Sequence, residues 1–146
     1  MELQNVVWCQ GNIIEIFMHN VQRIPVTGNF PLVAVARGCL LLHQLVQKTD
    51  RYQLDESDIS LISTASALHD IGKIMIPEEI LNKPGRLTEE EYATIKTHTT
   101  EGARILKGLA IGQDEPLVKV AHAICRWHHE RWDGGGYPDR LKGDEI

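Results

Sequence analysis

Apolar residues recur three and four positions apart along much of the chain, and nowhere do they alternate convincingly with polar ones. That periodicity predicts an all-α protein. The segment 1–53 is the least regular. Ile13, Ile14, Ile16 and Phe17 suggest a buried helix, which Pro25, Gly28, Asn29 and Pro31 interrupt. The string from Val33 to Lys48 reads as a second helix, flawed by Gly38.

Beyond Tyr52 the signals sharpen. Asp55 or Ser57 is placed to cap a helix that runs to about His69. Pro77 suits the first position of a short helix over PEEILN, and NKPGR reads as a turn. Thr88 and Glu91 form a capping-box signature, so a helix is predicted from there to about Lys107, with Gly108 just past its end. Asp114 is placed to cap a last helix from about Glu115 to Glu130. The run Asp133-Gly134-Gly135-Gly136 then forces a loop. The chain divides into a poorly patterned region, 1–53, and a well-patterned one, 54–146.

Three of these helices carry a histidine on their apolar stripe. The sets are Ile59, Ile62, Ser66 and His69; Ile95, His98, Gly102 and Ile105; and Leu117, Ala121, Ile124 and His128. Residues three or four apart share one helix face, so His69, His98 and His128 are predicted to point inward. Any one alone reads as a core histidine satisfied by a hydrogen bond. Three on three helices, with Asp70 beside His69 and His129 beside His128, point instead to a metal centre, because imidazole and carboxylate together suit zinc, iron, manganese or nickel. Without a cation, several buried polar groups would be left unsatisfied. Lys73, four residues after His69, is placed to hold a phosphate oxygen as a point charge, although alone it reads as a solvated lysine. His43 and His122 read as structural, and Trp127 and Trp132 as packing residues.

Composition narrows the classes. A hydrophobic fraction of 42% over 146 residues supports one packed domain. A net charge of −5, from 15 basic and 20 acidic side chains, gives no basic footprint for duplex nucleic acid. No apolar run approaches the ~20 residues of a membrane span. Cys9, Cys39 and Cys125 lie far apart, and the start of the chain has no basic, signal-like segment, so a cytoplasmic location is expected.

Leu68-His69-Asp70-Ile71-Gly72-Lys73 resembles the signature of the HD superfamily of metal phosphohydrolases. The stretch from Ile76 to Leu106 and the stretch from His128 to Ile146, with Gly136-Tyr137-Pro138, are similar to its HD-GYP branch. The resemblance covers roughly residues 54–146. It implies a helical HD-domain bundle around two or more divalent metal ions, often iron or manganese. It further implies hydrolysis of a cyclic dinucleotide, most often cyclic di-GMP, in bacterial second-messenger signalling. By the same resemblance His69, Asp70, His98, His128 and His129 are metal ligands, Lys73 binds phosphate, and Tyr137 belongs to a loop that shapes the substrate site and contacts a signalling partner domain. Asp70 and Lys73 are the expected catalytic residues. Asp70 is the natural carboxylate bridge, and no Ser-His or Cys-His nucleophile is present.

Two departures stand out. The family's upstream ligand helix has only a faint echo around His19, ahead of Pro25 and Gly28. Its further aspartate ligand lies in a helix beyond the GYP loop, whereas this sequence ends at Ile146, so the sequence reads as truncated there. Two rival readings remain: a degenerate, non-catalytic HD-GYP module that binds nucleotide or a signalling partner, and an HD phosphohydrolase acting on mononucleotides.

Overall fold

The computed structural model describes residues 54–109 and 112–146. The expectations for 1–53, including His19, His43, Cys9 and Cys39, lie outside the described residues. Among the described residues there are five α-helices and two 3₁₀ turns and no strand, in keeping with the all-α reading. They are α1 (Glu56–Ser66), a 3₁₀ turn (Ile71–Met75), α2 (Glu78–Leu81), α3 (Glu89–Lys96), α4 (His98–Lys107), α5 (Pro116–Trp127) and a second 3₁₀ turn (Gly143–Glu145).

Helix α1 starts at Asp55, whose carboxylate accepts the backbone N–H groups of Ser57 and Asp58 while Asp58 reaches back to the Asp55 N–H. This reciprocal box satisfies donors that a helix start leaves open. Helix α1 stops at Ser66, short of the expected His69. The Ala67 N–H turns back to the Thr64 and Ala65 carbonyls, and His69 follows in a tight turn. Pro77 sits one position before its short helix, as N-cap rather than first helical residue.

The helix expected from Thr88 to Lys107 is two helices. Thr88 and Glu91 do form the capping box, but the backbone breaks at Thr97. Threonine hydroxyls concentrate at that point: Thr94, Thr97, Thr99 and Thr100 each donate to a backbone carbonyl three or four residues earlier. Such back-bonding competes with the helical ladder and bends it. Helix α5 begins after Glu115, whose side chain makes no capping hydrogen bond, with Pro116 at its first position. Asp114 instead pairs with Lys119 at 3.2 Å, so the N-cap position lies one residue later than the sequence suggests. The helix ends at Trp127, three residues before the expected Glu130.

The core joins Ile59, Ile62 and Ala65 of α1 to Leu106 of α4 and Val120, Ala121, Ile124 and Cys125 of α5. The stripes are rotated slightly from those predicted. Leu106 rather than Ile105 fills the core, and Leu117 is exposed while Val118 is buried. Helix α5 packs on both α1 and α4, and the first 3₁₀ turn lies on α4. The ends of α1 and α5 and the start of α4 therefore meet at one place.

Candidate metal centre

The close contact that builds this place is between backbones. A Cβ added at Gly72 would overlap the His98 carbonyl oxygen and lie 2.5 Å from the Gly102 nitrogen. Gly102 is in turn pressed on by the Cys125 thiol. Hydrogen at these two positions lets the turn after α1 sit directly on α4. Asp70, two residues before Gly72, is thereby carried to the start of α4.

Around Asp70 the histidines converge. Its Oδ2 lies 3.1 Å from His69 Nε2 and 2.6 Å from Lys73 Nζ. Its Oδ1 faces the other way, 3.4 Å from His98 Nε2 and 3.8 Å from His128 Nε2. The His98 and His128 rings are 5.1 Å apart, and His128 is 5.3 Å from His69 and 4.2 Å from His129. The structure thus brings together His69, Asp70, Lys73, His98, His128 and His129. His98, His128 and His129 form a group able to hold a metal ion.

The tautomers follow from the backbone. His69 Nδ1 lies 2.8 Å from the Ser66 carbonyl, His98 Nδ1 2.7 Å from that of Ile95, and His128 Nδ1 3.0 Å from that of Cys125. A carbonyl oxygen only accepts, so each Nδ1 donates its proton and each Nε2 of a neutral ring presents a lone pair. His98 Nε2 and His128 Nε2 then face each other at 3.1 Å. Burial disfavours a shared proton as the answer. It pulls His128 down to about 3, helped by the neighbouring His129, and lowers His98 as well. His129 is brought to about 4, first by burial and then by His98. Burial alone would raise Asp70, but the His69 ring and the Lys73 ammonium beside it outweigh burial and hold the carboxyl well below the usual carboxylate range. Neutral imidazole nitrogens facing an ionised carboxylate make a donor set that fits a divalent cation.

The loop after α5 is tied to the same place. Tyr137 donates its backbone N–H to the His129 carbonyl, 3.2 Å away, and its ring stacks on the His129 imidazole with centroids 4.6 Å apart. Gly136 has no room for a side chain, because a Cβ there would lie 2.5 Å from the Glu130 Cα. Glu130 is the residue the sequence reading missed, taken there only as a helix end. It is 3% exposed, and its carboxylate accepts the backbone N–H groups of Asp139 (2.6 Å), Arg140 (3.0 Å) and Leu141 (3.1 Å). Asp139 in turn receives the Arg126 guanidinium at 2.7 Å and the Trp127 indole N–H at 2.8 Å. The one sequence signal for Glu130 is an acidic residue directly after a buried histidine pair. His122 is apart from the group and lines a cavity of about 280 Å³ with Lys107, Gln113 and Trp127.

A family model described as HD domain matches residues 33–146. The chain is 46% identical over 124 residues, 85% of its length, to a cyclic di-GMP phosphodiesterase of Pseudomonas aeruginosa, of which the match covers 28%. It is 48% identical over 64% of its length to a cyclic di-GMP phosphodiesterase of Thermotoga maritima, covering 24% of that protein. It is 46% identical over 65% of its length to a 3'3'-cGAMP-specific phosphodiesterase of Vibrio cholerae, covering 17% of it. The chain thus spans less than a third of the length of these relatives. No helix among the described residues is long and apolar enough to cross a membrane.

Proposed function

We propose that this chain, which belongs to the HD domain family and to its HD-GYP branch, is the hydrolytic domain of a metal-dependent cyclic-dinucleotide phosphodiesterase. The observation that carries the reading is the placement of Asp70 between two sets of Nε2 lone pairs, with His69 at one oxygen and His98 and His128 at the other. The substrate class rests on the activities for which the relatives are named, with cyclic di-GMP as first choice.

His69, Asp70, His98, His128 and His129 are the proposed holders of two or more divalent ions, iron or manganese by preference. Such ions supply Lewis acidity toward the phosphate and an activated water. Asp70, which presents one carboxylate oxygen to each side, would supply ligand oxygens to both sides of such a centre. The backbone carbonyls of Ser66, Ile95 and Cys125 fix the rings so that Nε2 points to the centre. Lys73 is 41% exposed at its side chain, near enough to solvent to exchange its Asp70 contact for a phosphate oxygen. There it offsets charge that builds up as the phosphodiester opens. Burial of His98 and His128 limits the water that competes for the site. A cytoplasmic location, and docking of a signalling partner at the Gly136-Tyr137-Pro138 loop, belong to the same proposal.

The test is metal content per chain measured alongside hydrolysis of cyclic di-GMP, 3'3'-cGAMP and a mononucleotide panel. Stoichiometric iron or manganese with release of linear dinucleotide or GMP is the expected result. Metal-loaded protein that binds cyclic di-GMP and leaves it intact would identify a non-catalytic sensor. Turnover of mononucleotides alone would move the chain to another branch of the family.

A further inference from the structure

One side of the metal centre continues outward as a row of side chains that the chemistry above does not use. Tyr137 stacks on His129, and Lys96 Nζ lies 5.8 Å from the Tyr137 ring centroid. The same ammonium lies 5.0 Å from the ring of Tyr92. Lys96 therefore stands between two aromatic rings that come from different elements, α3 and the loop after α5. Tyr92 is 49% exposed although it is a large aromatic. A helix pair four residues apart accounts for the Tyr92–Lys96 contact alone. It does not account for the second ring, nor for the continuity from Tyr92 to a candidate metal ligand.

We propose that Tyr137, Lys96 and Tyr92 form the subsite for the half of a cyclic dinucleotide that is not being cleaved. This rests on the phosphodiesterase reading. A cyclic dinucleotide carries two bases and two phosphates, and only one phosphate occupies the metals at a time. The other phosphate needs a cation outside the metal centre, and the outlying base needs a flat apolar face. Lys96 supplies a point charge and Tyr92 an exposed ring, in that order along the row. Stacking on an aromatic ring is tolerant of base identity, since every base has a π-face. This subsite therefore accepts a guanine or an adenine half, and contributes affinity rather than discrimination between cyclic di-GMP and 3'3'-cGAMP. Tyr137 ties the subsite to the metals through its stack on His129.

The experiment is equilibrium binding of a non-hydrolysable phosphorothioate analogue of cyclic di-GMP to the metal-loaded full chain, alongside steady-state hydrolysis. Tyr92→Ala is expected to weaken binding by about 5- to 150-fold, the range that loss of one base stack produces. Lys96→Met is expected to weaken it as well, and both variants raise KM while kcat stays near the wild-type value. Tyr92→Phe keeps the ring and restores binding, and Lys119→Ala, remote from the row on α5, leaves it unchanged. Metal content equal to wild type in each variant shows that the centre is intact. Wild-type affinity in both Tyr92→Ala and Lys96→Met overturns the subsite and leaves the phosphodiesterase reading standing. Failure of the wild-type chain itself to bind the analogue overturns that reading, and the subsite with it.

Discussion

Gly72 rests directly against the carbonyl of His98, with no space between them for a methyl group. That contact sets the distance between the turn that carries Asp70 and the helix that begins at His98. Gly72→Ala should therefore act on the site as well as on the fold. Forcing one carbon into such a contact costs about 1–3 kcal/mol or more. The expected result is a lower melting temperature together with reduced metal content. A variant that melts lower and keeps full metal occupancy would show that the site tolerates the shift.

Asp70 and Lys73 share an ion pair but should fail differently. Asp70→Ala is expected to lose both metal and hydrolysis, because the proposed bridge is gone. Lys73→Ala is expected to retain metal and lose turnover by roughly 10²- to 10³-fold, the usual effect of removing one group that stabilises developing charge. Metal analysis beside hydrolysis rates separates the two. Equal metal loss in both variants contradicts the division of roles.

Glu130 organises the loop that presents Tyr137. Glu130→Ala leaves three part-buried backbone N–H groups without their acceptor, at about 1–3 kcal/mol for each that water does not reach. Amide hydrogen exchange at Asp139, Arg140 and Leu141 should accelerate, and the chain should melt lower. Glu130→Gln keeps one acceptor oxygen and should fall between. Unchanged exchange at these three amides would mean that the loop is held by other contacts.

Acid should weaken the metal-free chain before it reaches the carboxylate range. His128 and His129 titrate at about 3 and about 4 in the fold, against about 6.5 in an unfolded chain. Below pH ~6.5 the unfolded state thus binds more protons. Their contribution to stability is complete above that pH and is lost as pH falls through the folded values. Asp70, also depressed, has the same sign at lower pH. Melting temperatures of the metal-free chain at pH 8, 6 and 5 should fall in that order. A flat series would count against buried, neutral imidazoles.

Cys125 should resist alkylation. Burial raises its thiol to about 11, and the Asp70 charge adds to the effect. The thiolate is the reactive form, so labelling with iodoacetamide at pH 8, read peptide by peptide, should leave Cys125 unmodified in the folded chain. Rapid labelling there without unfolding would show that the α4–α5 contact opens.

Much of the fold was legible because it depends on local chemistry. The Thr88–Glu91 box, the cap at Asp55 and the inward faces of His98 and His128 all follow from residues a turn apart. The errors arose where local rules compete. His69 continues the α1 stripe on paper, yet the chain leaves the helix at Ser66 and reaches the centre through a turn. The Thr97 break depends on how four threonine hydroxyls share the backbone. The Gly72–Gly102–Cys125 stack and the hold of Glu130 on residues 139–141 involve partners distant in sequence or lying in loop, which periodicity does not register.

The interruption at Thr97 has a consequence for how such a site diversifies. His98 starts α4, yet across the break its Nδ1 donates to the Ile95 carbonyl of α3, the short helix that also carries Tyr92 and Lys96. A rotation of α3 would therefore turn the His98 imidazole as well as move Tyr92 and Lys96. Under the proposed function, the outer half of a ligand would be retuned by exchanging exposed side chains of α3 rather than by shifting its backbone.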